Sequence, residues 1–226
     1  KGYVTTGYNP DQKYLSDTWE YNPETNSWRQ MDDFKGGARY YAIGFGIDNY
    51  GYVGTGYNDN YLKDFYRFDP TAAAGSQWTI VNGFGGQKRQ GGTAFVIDGK
   101  AYVCGGQNNN SDVSDFWCFD PSAATPWTQL RDIANTSDDD YDDDYTSIVR
   151  SYGVSFVIDG KAYLTLGSTA GGSYYSNYWI YDPATDLWEG DDLTAFEGST
   201  RIHAVCFSTG TRGIVATGGS GSSSYF

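Results

Sequence analysis

Four arginines occupy the same position of a repeating sequence, and a guanidinium group is suited to carboxylate binding through its paired N–H donors. Each arginine precedes an equivalent residue by 13 positions, and a glycine follows that residue four positions later. The set consists of Arg39, Arg89, Arg150 and Arg201. Such a set has two compatible uses. It can tie loops together through backbone carbonyls or Asp side chains, and it can clamp a carboxylate ligand.

Tyrosine and asparagine side chains form a second group of candidate ligand contacts. Tyr8 and Tyr57 directly follow the repeated glycine, and Asn58 comes next after Tyr57. Flat aromatic rings beside amide groups suit a sugar or a protein surface. Tyr14 and Tyr61 instead share one register of the repeat, Tyr-Leu-x-Asp, so we expect these two rings to pack inside the fold.

An acidic run is the one candidate for metal binding, with six carboxylates in the seven residues Asp138–Asp144. Calcium prefers several oxygen ligands, which makes Asp138, Asp140, Asp142 and Asp144 candidates. The run lacks the Asp-x-Asp-x-Asp-Gly pattern of a calcium loop, and like charges in sequence are typical of a solvated, self-repelling loop. We therefore expect no metal or cofactor, and keep calcium and a basic partner as alternatives for this run.

Histidine and cysteine are scarce. His203, two residues after Arg201, is the only histidine. We expect a buried, hydrogen-bonded strand residue there, with a general base as the alternative. Cys104, Cys118 and Cys206 are interpreted as small core residues. Because Cys104 and Cys118 fall in neighbouring strands of one repeat, a bridge between them stays open as an alternative.

The strands that must position these side chains are clearest in the third repeat. Its four apolar runs are Thr93–Asp98, Ala101–Cys104, Phe116–Phe119 and Trp127–Leu130. Short runs rich in Val, Phe, Tyr and Trp predict strands, and short connections join antiparallel neighbours. No stretch has the apolar spacing of a helix. Each repeat therefore predicts a four-stranded meander, with strands a to d in chain order.

The meander recurs with a period of about 50 residues, which indicates a repeat architecture. The predicted sheets occupy residues 1–30, 39–81, 89–130, 150–190 and 201–226. The first lacks strand a and the last lacks strands c and d, so 17 strands are predicted. One sheet cannot bury both of its faces alone, whereas sheets packed radially around an axis cover one another. We expect a single, incomplete domain over residues 1–226.

The third repeat resembles the kelch repeat of β-propellers. The resemblance depends on Arg89, Tyr102-Val103, Gly105-Gly106, Phe119-Asp120-Pro121 and Trp127. It implies an all-β, kelch-type β-propeller in which this chain forms about four and a half blades of a six-bladed ring, with a seven-bladed ring as the alternative. The other copies depart from the pattern, because the first glycine of the pair is replaced there and strand b must tolerate a side chain. The replacements are Thr6, Thr55, Leu166 and Thr217.

The composition excludes some classes of partner. The net charge of −13 opposes binding to nucleic acid phosphates and to anionic lipid surfaces. No apolar stretch reaches the roughly 18 residues that a membrane-spanning helix needs. The richness in Tyr, Asn, Gly, Asp and Ser, with few Lys, resembles that of secreted bacterial kelch proteins. This resemblance implies an extracellular, cell-surface or periplasmic location.

The predicted function is binding. Chain direction places the b–c loops and the d–a links on one face of the meanders, and these segments vary most in length. Loop variation on a rigid scaffold is typical of binding surfaces. We therefore predict a non-catalytic recognition module that binds a glycan or a protein on this b–c/d–a face. The candidate contacts are Tyr8, Tyr57, Asn58 and the four arginines.

An enzyme of the kelch type is the alternative. Sugar-acid mutarotases in this family imply a carboxylate or histidine beside an arginine cluster, which His203 with Arg150 and Arg201 would supply. Copper-radical oxidases imply two copper-binding histidines, and this chain has one. Catalytic residue types are scarce throughout the chain, so binding is the favoured function.

Overall fold

Short antiparallel strands and their connections make up the described part of the chain. The computed structural model describes residues 1–134, 147–190, 194–221 and 224–226, and no α-helix occurs within them. These residues accordingly contain no helix long and apolar enough to cross a membrane. The chain divides into two compact units: unit 1 is Lys1–Phe84 with Lys88–Gln90, and unit 2 is Gly85–Gln87 with Gly91–Phe226.

Unit 1 contains a three-stranded and a four-stranded antiparallel sheet, in which neighbours along the chain pair with each other. The three-stranded sheet consists of β1 (Gly2–Asn9), β2 (Lys13–Asn22) and β3 (Ser27–Gln30). The four-stranded sheet consists of β4 (Ile43–Ile47), β5 (Tyr50–Gly54), β6 (Phe65–Phe68) and β7 (Trp78–Val81).

Unit 2 contains the remaining strands. In chain order they are β8 (Thr93–Ile97), β9 (Lys100–Cys104), β10 (Gln107–Asn108), β11 (Ser111–Asp112), β12 (Trp117–Phe119), β13 (Trp127–Gln129), β14 (Val154–Ile158), β15 (Lys161–Thr165), β16 (Tyr178–Asp182), β17 (Leu187–Glu189), β18 (Val205–Ser208), β19 (Gly213–Ala216), β20 (Gly219–Ser220) and β21 (Ser224–Tyr225). Two sheets have four strands each, β8-β9-β12-β13 and β14-β15-β16-β17, while β18 pairs with β19.

The predicted meanders are confirmed strand by strand. The 17 predicted strands appear as sheets of three, four, four, four and two strands, and the described residues add two short hairpins, β10–β11 and β20–β21, after strand b. The apolar runs of the third repeat match β8, β9, β12 and β13 to within one residue at either end. Apolar periodicity therefore located the strands of this chain well.

The a–b turns are of the type that favours tight antiparallel pairing. Asp98 and Gly99 have φ values of 49° and 74°, and Asp159 and Gly160 have values of 49° and 75°. Positive φ at both central residues defines a type I′ turn, whose twist matches that of the two strands it joins. The Asp-Gly pairs thus fix the register of strands a and b.

Aromatic rings fill the core of unit 2. Phe95, Tyr102, Phe116, Tyr181 and Trp188 are buried members of one apolar cluster. Phe116 and Tyr181 meet edge to face with ring centroids 4.9 Å apart. Burial of each such side chain contributes about 1.5–3 kcal/mol. The aromatic residues of the repeats thus hold successive sheets of unit 2 together.

Cys104 is a core residue, as interpreted from the sequence, while Cys118 and Cys206 are half-buried, and the alternative of a Cys104–Cys118 bridge is wrong. None of the three forms a disulfide. Cys104 is 1 % exposed within the unit 2 core, and Cys118 lies opposite Tyr102 in the β9–β12 ladder. The Cys206 thiol donates to the backbone oxygen of Ser155 at 2.9 Å, and so joins β18 to β14.

In unit 1, Asp32 joins the β3–β4 link to the loop before β7. Its carboxylate accepts the backbone N–H of Gly75 at 2.7 Å and of Gln77 at 3.0 Å. These hydrogen bonds hold the pKa of Asp32 below its usual value, because they stabilise the charged form. The indole N–H of Trp78 donates to the backbone oxygen of Asp32 at 3.1 Å. Asp32 thereby fixes the packing of β7 against the first sheet.

Replacing Asp32 by asparagine is expected to lower the free energy of unfolding by about 1 kcal/mol near neutral pH, because an uncharged oxygen accepts these bonds more weakly. A lowered folded-state pKa gives stability that is complete above the unfolded pKa and is lost as the pH falls through the folded pKa. Urea titrations should therefore show the wild type and Asp32→Asn converging below the usual carboxyl pKa of 3.8. A difference that stays constant in acid would contradict this assignment.

Candidate functional site

The repeated arginines are structural ties, as Arg39 shows in unit 1. Its guanidinium group donates to both carboxylate oxygens of Asp64, at 2.6 and 3.0 Å. It also donates to the backbone oxygens of Thr55 at 2.9 Å, Gly37 at 3.2 Å, and Gly36. The residue is 0 % exposed. These bonds are what makes a buried charge tolerable.

Arg150 repeats the arrangement in unit 2 with uncharged oxygens. It donates to the backbone oxygens of Ile148 at 3.0 Å and Leu166 at 3.0 Å. It also donates to the backbone oxygen of Ser147 at 2.6 Å and to Oδ1 of Asn177 at 2.9 Å. Burial lowers the pKa of Arg150 to about 10, which still leaves the group charged at neutral pH. The guanidinium group thus joins the segment before strand a to both ends of its b–c loop.

The same two bonds recur in Arg201, where Nε donates to Ser199 O at 2.9 Å and Nη1 donates to Thr217 O at 3.1 Å. Arg39, Arg89 and Arg150 are 0, 0 and 1 % exposed, whereas Arg201 is half-buried. A ligand in solvent cannot reach the three buried guanidinium groups. This corrects the expectation that Arg39, Arg89 and Arg150 contact a ligand, and it removes the support that they gave to a mutarotase-like site.

The repeated glycine adds a backbone hydrogen bond to the repeated arginine. In four copies its N–H donates to the carbonyl oxygen of the next repeated arginine, at 2.8–3.0 Å; the pairs are Gly7–Arg39, Gly56–Arg89, Gly106–Arg150 and Gly167–Arg201. Gly167 has a φ of 88°, and a Cβ there would lie 2.6 Å from the backbone oxygen of Ser151. Both the conformation and the close approach require glycine.

The residue before this glycine carries a side chain in four copies, as expected from the sequence, and its backbone there is left-handed. Its φ lies between 59° and 61° in the copies without a first glycine, namely Thr6, Thr55, Leu166 and Thr217. A β-branched residue rarely adopts this conformation. The arginine Nη1 bonds the carbonyl oxygen of this same residue in Thr55, Leu166 and Thr217. The arginine tie therefore holds the strained residue in place.

Unit 1 gathers tyrosines on its b–c loops and on the start of its strand a. Tyr40 lies at the centre, stacked on Tyr14 with centroids 5.6 Å apart and an interplanar angle of 11°. The rings of Tyr8 and Tyr41 lie 5.7 and 4.4 Å from that of Tyr40. Tyr57 meets Tyr40 edge to face at 5.8 Å. The fold brings these rings together on one surface from three separate segments of the chain.

A cleft of about 510 Å³ opens beside these rings, and we call it the tyrosine cleft. Its lining residues are Gly7, Tyr8, Lys13, Tyr14, Tyr40 and Tyr41. Tyr8 and Tyr41 are 57 and 37 % exposed, so part of each residue is accessible to a ligand. A cleft of this size accommodates a small molecule or a few side chains of a partner.

Backbone pairing holds the tyrosine cleft in shape. Tyr8 pairs with Tyr14 at the tip of the β1–β2 hairpin. An isolated β-bridge joins Leu15 to Arg39. It places Tyr40 and Tyr41, the two residues after Arg39, beside that tip. A second bridge joins Tyr40 to Tyr57. The tyrosines are therefore displayed on paired backbone rather than on free loops.

The hydroxyls of Tyr14, Tyr40 and Tyr41 stay protonated at neutral pH. The hydroxyl of Tyr14 donates to Oδ1 of Asp59 at 2.6 Å. This bond to a carboxylate raises the pKa of Tyr14 to about 12. Burial raises the pKa of Tyr40 and of Tyr41. The cleft thus offers neutral rings and hydroxyl groups.

The other residues of unit 1 that the sequence analysis considered as ligand contacts or packing rings are half-buried. The ring of Tyr57 is half-buried, with Tyr61 at 5.0 Å in addition to Tyr40. Asn58 is half-buried, and its backbone N–H donates to the oxygen of Asn60 at 3.1 Å, which closes the loop. Tyr14 packs, as expected, and also lines the cleft. Tyr8 is therefore the most accessible of the predicted contacts.

Side chains also join successive b–c loops in unit 2. Oδ1 of Asp112 accepts the N–H of Ala170 at 2.7 Å. The hydroxyl of Tyr174 accepts the N–H of Gly221 at 2.8 Å. Each of these bonds connects the loops of two neighbouring sheets. The variable loops of unit 2 are thus held to one another.

His203 does not occupy the predicted buried strand position. It is exposed and has a φ of 58°, outside β18. Its ring meets that of Tyr152 edge to face at 4.7 Å. The Tyr152 hydroxyl in turn accepts a hydrogen bond from the amide of Gln107 at 2.7 Å. Because the left-handed backbone turns this residue out of the strand, the repeat register alone misplaced it.

The acidic run with Asp138, Asp140, Asp142 and Asp144 lies outside the described residues, so the expectation of no metal there and the alternative of calcium both stay predictions. Within residues 1–134, 147–190, 194–221 and 224–226, no group of three or more His, Cys, Asp or Glu side chains is arranged to hold a metal ion.

Sequence reasoning missed three lining residues of the tyrosine cleft. Tyr40 and Tyr41 directly follow the repeated arginine, where the other copies have Gln90-Gly91, Ser151-Tyr152 and Ile202-His203. The pair of adjacent tyrosines was therefore a visible departure from the repeat. Lys13 carried no such signal, because its position beside the rings depends on the hairpin register.

Comparisons with known proteins agree with this geometry. A family model for the KLHDC2/KLHL20/DRC7 Kelch-repeats domain matches residues 3–219. Kelch-like protein 15 of Danio rerio is 25% identical over 189 residues, which cover 79% of this chain and 30% of that protein. The chain thus spans less than a third of the length of this curated relative.

A solved structure, described as the structure of YjhT, superposes on the chain with a TM-score of 0.77. The alignment covers 99% of this chain and 75% of that chain, at 14% sequence identity. At this identity the likeness concerns the fold alone.

Proposed function

The chain belongs to the Kelch-repeat family and has the β-propeller fold of that family, and on this premise we propose that it binds a partner protein through the b–c loops of unit 1. A Kelch-repeat domain is a protein-interaction module, which supports a protein as the partner. The number of blades and a location outside the cell remain predictions from the sequence.

The observation that carries the proposal is the exposure of aromatic rings on a rigid frame. Tyr8 and Tyr41 present 57 and 37 % of their surfaces to solvent, although large apolar rings are usually covered. Tyrosine is enriched among the residues that dominate binding energy, because a rigid ring contributes a large contact area at low entropic cost. The frame is already ordered, so little entropy is lost on binding.

A glycan is a second candidate ligand, and the tyrosine cleft is the observation that favours it. Sugars stack their apolar faces on aromatic rings and exchange hydrogen bonds with hydroxyl groups. The cleft combines both features within about 510 Å³. A glycan array probed with the intact chain separates this candidate from a protein partner.

Tyr8→Ala is expected to weaken partner binding about tenfold or more, the usual effect of removing a central aromatic contact. The change should alter the free energy of unfolding by less than about 0.5 kcal/mol, because the ring is largely exposed. Affinity enrichment with quantified recovery measures the first effect, and thermal unfolding measures the second.

The matched control is Tyr50→Ala, at the end of β5 remote from the b–c loop. Tyr50 contacts the guanidinium group of Arg67, 4.6 Å from the ring centroid, and lies outside the tyrosine cleft. Partners recovered equally by the wild type, Tyr50→Ala and Tyr8→Ala would show that the b–c loops of unit 1 are not the binding surface. Tyr57→Ala is a poorer probe, because its ring supports Tyr40 and Tyr61.

A further inference from the structure

We propose that the tyrosine cleft receives an extended partner segment that carries an acidic side chain, with Lys13 pairing with the carboxylate and the tyrosine rings covering the flanking residues. This inference rests on the proposed function and adds the chemistry of the partner.

The position of Lys13 is the first support. It begins β2 in a left-handed conformation, with a φ of 63°, directly after the tip of the β1–β2 hairpin. It is exposed and lines the cleft together with Tyr8 and Tyr14. Lys13 has no ion pair with any residue in the described ranges. Its ammonium group is therefore available to an incoming carboxylate.

The charges lining the cleft are the second support. Lys13 is the only residue among the six lining residues that is charged at neutral pH. The carboxylate of Asp59 already accepts the Tyr14 hydroxyl. A cationic group entering the cleft would meet the like charge of Lys13. An acidic group would meet an unpaired ammonium and neutral hydroxyl donors.

The distribution of charge along the chain is the third support. Unit 1 has nine Lys and Arg residues against ten Asp and Glu residues, whereas unit 2 has six against eighteen. The net charge of −13 is therefore concentrated in unit 2, and unit 1 is nearly neutral. Complementary charge favours encounter and like charge opposes it. An acidic segment is thus far less disfavoured by unit 1 than the net charge of the chain suggests.

The ring geometry favours an extended segment rather than a single side chain. Tyr8 and Tyr41 both lie beside Tyr40, with centroids 5.7 and 4.4 Å from it, so the cleft carries several adjacent rings. A carboxylate held by Lys13 fills only part of a cleft of about 510 Å³. The remaining volume suits flanking apolar or proline residues packed against the rings.

The test selects a displayed library of random dodecapeptides on the intact chain and measures the affinity of an enriched peptide by fluorescence anisotropy. We expect enrichment of Asp and Glu over the starting library. Lys13→Met, which keeps the aliphatic stem and removes the charge, should bind such a peptide about two- to fivefold more weakly, the range for an exposed ion pair. The matched control is Lys63→Met, an exposed lysine on the next b–c loop that does not line the cleft. It should bind as the wild type does.

Three results would overturn the inference. The first is enrichment of peptides without acidic residues, and the second is acidic peptides that bind Lys13→Met as tightly as the wild type. Either would exclude recognition of an acidic side chain by Lys13. If Tyr8→Ala still abolished binding of those peptides, the proposed protein-binding function would stand. Binding of glycans together with no peptide enrichment would reject both the inference and the protein partner.

Discussion

Arg150→Met should lower the free energy of unfolding by about 3–5 kcal/mol, the range for removing a buried, multiply bonded group. The substitution leaves four oxygens without their donor, on Ile148, Leu166, Ser147 and Asn177. It also removes the contact of the guanidinium group with the ring of Tyr175, at 4.6 Å from the centroid. Thermal unfolding followed by circular dichroism should show a fall in Tm of about 10 °C.

The control for this prediction is Arg212→Met, the same chemical change at an exposed position of unit 2. We expect it to alter the free energy of unfolding by less than about 0.5 kcal/mol. Arg150→Lys separates charge from geometry, because lysine keeps the charge and lacks the planar fork. It should recover only a minor part of the loss. Equal stability of Arg150→Met and Arg212→Met would show that the arginine tie is dispensable.

Gly167→Ala is expected to destabilise the protein by about 3 kcal/mol or more. Part of this cost is the left-handed conformation, since a φ of 88° is unfavourable for alanine. The larger part is steric, because the new Cβ would lie 2.6 Å from the oxygen of Ser151 and 2.8 Å from the nitrogen of Gly153. The backbone must move, and the hydrogen bond from Gly167 to Arg201 would lengthen. Urea unfolding measures the loss directly.

Gly160→Ala isolates the two contributions. Its φ of 75° is also positive, but no atom lies within 4 Å of the added Cβ. We expect a cost of about 1–2 kcal/mol from the backbone conformation alone. The difference between the two variants then measures the close approach at Gly167. Equal costs would mean that the repeated glycine is required only for its φ value.

These two predictions concern one device that recurs along the chain. The arginine side chain bonds the carbonyl of the left-handed residue, and the arginine carbonyl accepts the N–H of the glycine in the preceding repeat. The device fixes the base of each b–c loop. A loop anchored in this way can vary in sequence and still present its side chains in a defined place.

The sequence by itself determined the strands, the turns and the family. Apolar runs of four to six residues specify strands because side chains alternate between the two faces of a sheet, and Asp98-Gly99 specifies a turn because its backbone conformation is local. The repeat of Arg89, Gly106 and Trp127 identified the kelch pattern, since a repeat is visible without knowledge of contacts. These features depend on neighbours along the chain, and sequence contains that information directly.

Only the tertiary structure decided which side chains are accessible. The spacing of Arg39, Arg89 and Arg150 was compatible with tying loops or with holding a ligand, and burial selected the first. The tyrosine cleft brings Tyr8, Lys13 and Tyr41 together through the register of one hairpin and one bridge. Exposure and proximity arise from contacts between segments distant in sequence, so a repeat pattern can predict the frame and still leave the binding surface undetermined.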